Sequence, residues 1–143
     1  MFSAAHADCR SVRGALEETQ VTGMACGSPV NLCTVAHLIG HLKGEARFTA
    51  ASVQSTADTP TTGVVFVTGD TTVTDARLGG KRGTLVIKNA AAFRTLGEGD
   101  LADVQIIIGG TGDFAAASGS LRVSGTFVAG AGTATYEGSV CLP

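Results

Sequence analysis

Three side chains in this chain could do chemistry together: the Glu18 carboxylate, the Asn89 carboxamide and the Tyr136 phenol. Each shares the parity of apolar neighbours in a run that alternates residue by residue. Val12, Gly14 and Leu16 carry Glu18 to one face, Leu85 and Ile87 carry Asn89 and Phe93, and Ala134 and Val140 carry Tyr136. In a barrel, inward and outward residues alternate along every strand, so all three would share one interior. A carboxylate kept from water can act as a general base, and an amide with a phenol can hold a carbonyl or a developing oxyanion. That set would suffice for a cyclisation or isomerisation without a cofactor. The structural alternative places Glu18 at a solvated rim, Asn89 at a turn, and Tyr136 in the core with its hydroxyl reaching the surface. The other inward positions, Leu16, Phe48, Phe66, Thr68, Ile87, Phe93, Val123 and Phe127, describe a mostly apolar lumen suited to a small apolar molecule. Parity is ambiguous near Phe66, Thr68 and Asp70, because Val65 and Val67 compete with Val64 and Phe66 for the inner face, and a β-bulge would invert any of these assignments.

Other chemistries lack their residues. Glu17 and Glu18 are neighbours and face opposite sides of a strand, so they cannot form a glycosidase couple. No Gly-x-Ser-x-Gly is present, and the three histidines, His6, His37 and His41, lie in the first third with no serine partner. Zinc would need Cys and His at ligand spacing, but there is no Cys-x-x-Cys, and a strand would hold His37 and His41 about 13 Å apart. No metal site is expected. Gly109-Gly110-Thr111-Gly112 lacks the Lys-Ser/Thr ending of a phosphate loop and a long helix after it. The Thr-rich stretch from Thr59 to Thr74 suits a half-exposed strand.

Turn signals divide the chain into eight candidate strands: Arg10–Thr22, Val35–Gly40, His41–Gln54, Thr62–Asp75, Gly83–Thr95, Ala102–Ile108, Leu121–Val128 and Thr133–Leu142. Between them stand Cys26–Cys33, Thr59-Pro60-Thr61, Gly79–Gly83, Gly97–Asp100, the corner Gly109–Gly119, and Gly130-Ala131-Gly132. A sandwich has the same rhythm as a barrel. The corner, with Gly109, Gly110, Thr111, Gly112, Phe114, Ala115, Ala117 and Gly119, resembles the segment joining two late strands in allene oxide cyclase-like and dirigent-like proteins. The resemblance covers Ala102–Leu142. It implies an eight-stranded antiparallel barrel of the calycin-like type, often a dimer or trimer, in a group that includes cyclases and stereochemistry-directing proteins. It carries no catalytic residue over to Glu18 or Asn89, since the first strands match too poorly.

With 143 residues the chain is long enough for one barrel domain, expected over residues 9–143. Ten Lys and Arg against twelve Asp and Glu, all scattered, leave no basic stripe for nucleic acid. No run is long and apolar enough for a membrane-spanning helix. Only 15% charged residues and a mean hydropathy of +0.29 point to apolar surface that a homodimer or homotrimer would cover. The segment 1–8 is expected to be a signal-peptide remnant or a flexible terminus, because Ala5-His6-Ala7 has the small-x-small form of a cleavage site. Four cysteines allow three pairings. An antiparallel barrel suits Cys9–Cys141 with Cys26–Cys33, since closure sets the first strand beside the last and both Cys9 and Cys141 then face outward. Bridges of this kind fit a secreted, extracytoplasmic protein.

Overall fold

The computed structural model describes residues 8–23, 26–55 and 63–143. Eight strands occupy them: β1 (Asp8–Val21), β2 (Cys33–Gly40), β3 (Leu42–Ser55), β4 (Val64–Leu78), β5 (Lys81–Arg94), β6 (Asp100–Gly112), β7 (Ser118–Val128) and β8 (Ala131–Leu142). Each pairs antiparallel with its sequence neighbour, and β1 pairs with β8 to close the barrel. Closure removes the free edges that an open sheet of this length would present. The proposed turn Thr59-Pro60-Thr61, the expected strand start at Thr62 and the cleavage-site residues Ala5–Ala7 lie outside the described residues. Asp8, expected to precede the domain, instead begins β1 opposite Leu142.

Closure aligns Cys9 with Cys141, and the two form a disulfide. Cys26 and Cys33 form the second, across the β1–β2 connection. That connection is also bolted to β3: the Ala50 N–H donates to the Leu32 carbonyl at 2.9 Å, and the Ser28 hydroxyl donates to the Ala50 carbonyl at 2.6 Å.

The two ends of the barrel differ. Around the chain termini the interior is packed solid by Val12, Leu42, Leu78, Leu121, Val140 and Leu142, all buried. Phe114, fully buried, folds under this end from the β6–β7 turn. Tyr136 braces the same end. Its hydroxyl accepts the Leu42 N–H at 3.0 Å and donates to the Leu42 carbonyl at 2.7 Å, with the Ile39 carbonyl 3.0 Å away. Gly14 makes room for the ring, because a Cβ there would overlap the Ile39 carbonyl and the Tyr136 hydroxyl.

One boundary departs from expectation for a clear reason. The glycines Gly109, Gly110 and Gly112 do not form a corner but prolong β6, pairing with Val86, Leu85 and Gly83 of β5. The β5–β6 ladder shifts register between Val86 and Ile87, where Ile108 is the extra residue. A Cβ on Gly110 would strike the Thr84 carbonyl, so the two backbones approach as only glycine permits. The turn itself is the short segment Asp113–Ala117.

Candidate functional site

The opposite half of the lumen, toward the end where β1 finishes and β2 begins, is not filled by the described residues. A cavity of about 80 Å³ lies there, walled by apolar side chains that include Leu16, Phe48, Ala91, Phe93, Leu101 and Phe127. Phe93 and Phe127 meet edge to face at 6.1 Å, and both are only half-buried. The volume exceeds what one water needs and falls below the roughly 300 Å³ of a site for a drug-sized molecule. It takes a small group, such as a short alkyl chain.

Six polar side chains face this apolar space, and four form one directed network. The Thr71 hydroxyl on β4 donates to Asn89 Oδ1 at 2.7 Å. That contact turns the Asn89 amide so that Nδ2 donates to Asp103 Oδ2 at 3.0 Å. Gln105, the cross-strand partner of Asn89, donates through Nε2 to the same oxygen at 2.9 Å. The two amides thus converge on one carboxylate oxygen. The other, Asp103 Oδ1, is shielded from solvent and has no hydrogen-bond partner among the described residues. An unmet buried acceptor of this kind costs about 1–3 kcal/mol, more when charged.

Glu18 on β1 completes the set, hydrogen-bonded to Thr34 on β2. Burial raises its pKa above 4.5, partly countered by the Thr34 hydroxyl. Asp103 is pushed from 3.8 up to about 6, chiefly by burial; the Gln105 and Asn89 amides act against this, and the Glu18 charge adds to it. The two carboxyls therefore sense each other across the cavity. Both sit in apolar surroundings, with no cationic side chain on the cavity wall among the described residues.

Glu18 and Asn89 thus lie where alternation placed them, in the same cavity. Tyr136 does not join them. It faces inward but lies in the packed end, with its hydroxyl spent on the backbone of Ile39 and Leu42. Of the expected lumen residues, Leu16, Phe48, Phe93, Val123 and Phe127 line the cavity, while Ile87 is buried outside its wall. Phe66 and Thr68 face solvent instead. Phe66 is 48% exposed, and Thr68 hydrogen-bonds to Ser52 on the outer surface. The inner face of β4 belongs to Val67, Gly69, Thr71 and Val73, so Val67 won the competition between the two parities.

Asp103 and Gln105 were not expected from the sequence, and β6 shows why. Its apolar alternation, Ala102, Val104, Ile106 and Ile108, faces solvent, while Leu101, Asp103, Gln105 and Ile107 face inward. The strand is inverted relative to the usual pattern of apolar inside and polar outside. The sequence signal was present, in that β6 sets polar residues on one parity and an unbroken apolar row on the other.

No family model matches the chain, and no curated protein compared with it matches in sequence.

Proposed function

We propose that this protein is a secreted β-barrel that binds a small apolar molecule in the open half of its lumen and self-associates through the outer face of β4–β6. The cavity carries this reading: a closed barrel that packs one end solid leaves the other hollow, apolar, and provided with a buried acceptor lacking a donor. Small-molecule sites have this composition, mostly apolar with a few placed polar groups. Two disulfides, bonds that persist in oxidising compartments, support export. The resemblance of Ala102–Leu142 to the allene oxide cyclase-like and dirigent-like group agrees with a ligand-holding barrel.

Self-association is supported by the exposed row Val104, Ile106 and Ile108, each about half exposed, which continues across Ala90 and Ala92 to Phe66. A second copy brings the same row, and two such faces can cover one another about a twofold axis. The lumen reading is tested by titrating the wild-type protein with 1-butanol and following methyl NMR shifts. Saturable shifts at Val67, Leu101 and Ala36, abolished in Ala91→Leu, are expected; no saturable shift would refute it.

A second reading, a cofactor-free isomerase or cyclase, is favoured by one observation. Asp103, with a pKa of about 6, is a usable base near neutral pH, and Glu18 across the same cavity is a second proton carrier. In that reading Asp103 takes the role of base expected for Glu18, and Tyr136 takes no part.

A further inference from the structure

We propose that the lumen selects a short alkylammonium, holding its cationic head against Asp103 Oδ1 and Glu18 and its hydrocarbon tail along the apolar wall; this rests on the ligand-binding reading above. Thr71, Asn89 and Gln105 are arranged so that both amides donate to Asp103 Oδ2, which leaves Oδ1 as an acceptor with no donor among the described residues. A hydroxyl or an amine could supply one. A carboxylate or phosphate could not, since it would bring a further acceptor and a further negative charge.

The choice between hydroxyl and ammonium follows from charge. Among the described residues, the ionisable groups on the cavity wall are Glu18 from β1 and Asp103 from β6, both acidic. The other strands supply only uncharged polar groups there, Thr34 from β2, Thr71 from β4 and Asn89 from β5, with Gln105 beside Asp103 on β6. An ammonium answers both the missing donor and the uncompensated charge, whereas an alcohol answers only the first. Charge-assisted hydrogen bonds are also roughly twice as strong as neutral ones. The small volume limits the tail: at about 80 Å³, the space beneath the head admits a few carbons.

The test compares three probes of one shape, butylamine, 1-butanol and butyrate, titrated into the full chain and followed by methyl NMR. At pH 7.5 the amine is expected to bind about tenfold tighter than the alcohol or more, and butyrate more weakly than either. Asp103→Asn should abolish the advantage of the amine over 1-butanol. Should that variant not fold, the wild type alone decides. As pH falls from 7.5 to 5, Asp103 gains a proton, so the amine should lose several-fold in affinity relative to 1-butanol. Equal affinity for amine and alcohol, or an amine affinity indifferent to pH, would overturn the selectivity while leaving the lumen reading intact. Failure of all three probes to bind would overturn both.

Discussion

Replacing Asp103 with Asn should make the protein more stable at pH 8 and change the pH dependence of its unfolding in a calculable way. The Asn carboxamide has the carboxylate's shape, and its oxygen can still accept from Asn89 and Gln105, so the main change is loss of a buried charge. The folded pKa of about 6 stands above the ordinary 3.8 because burial penalises the anion. The folded protein therefore holds a proton on Asp103 that the unfolded chain releases between about pH 4 and 6, and native stability falls as pH rises through that window. Above it, the anion weakens the fold by up to about 3 kcal/mol, at 1.36 kcal/mol for each pH unit between the two pKa values. At pH 4 the same group weakens it by only about 0.5 kcal/mol. Urea unfolding of wild type and Asp103→Asn at pH 4 and pH 8 checks this. The stability difference between the two proteins should move by about 2 kcal/mol in favour of the variant on going to pH 8. Glu18 is common to both and largely cancels. A difference that stays constant with pH, or moves toward the wild type, would refute the buried-anion argument.

Tyr136→Phe should lower stability by about 1–3 kcal/mol, since the buried Leu42 N–H loses its acceptor, yet leave 1-butanol binding unchanged because the ring lies in the packed end. Chemical denaturation and NMR titration of the variant check the two halves. Removing the Cys9–Cys141 bridge in a double Ala variant should cost up to about 5 kcal/mol by the chain-entropy estimate for a separation of 132 residues, measured by urea unfolding. Ile106→Lys on the exposed row of β6 should shift the protein toward monomer in light scattering at micromolar concentration, with the thermal midpoint nearly unchanged.

The fold was largely legible because alternation and turn residues speak locally. Val12, Leu16, Leu85, Ile87 and Val123 face inward as their parity implies, and the pairing of Cys9 with Cys141 followed from closure alone. The site was legible only in part. Glu18 and Asn89 sit in strands whose apolar residues face the interior, so parity located them. Asp103 and Gln105 sit in β6, where the long apolar row faces outward and the polar residues face in, and hydrophobic pattern alone assigns such a strand backwards. Phe66 and Thr68 were misplaced because Val64–Val67 is apolar on both parities. In Tyr136 the parity was right and the depth wrong. Alternation says which face a side chain takes but not at which end of the barrel it lies, and that depends on register and on the plugging of one end by Phe114.

The central claim is that the lumen holds a small apolar molecule at one end only, and intermolecular NOEs from 1-butanol to the protein methyls test it most directly. Cross-peaks from the alkyl protons to Ala36, Val67 and Leu101 are predicted, with none to Val12, Val140 or Leu142 in the packed end. Cross-peaks confined to the outer row of Val104, Ile106 and Ile108, or none at all under saturating 1-butanol, would contradict it.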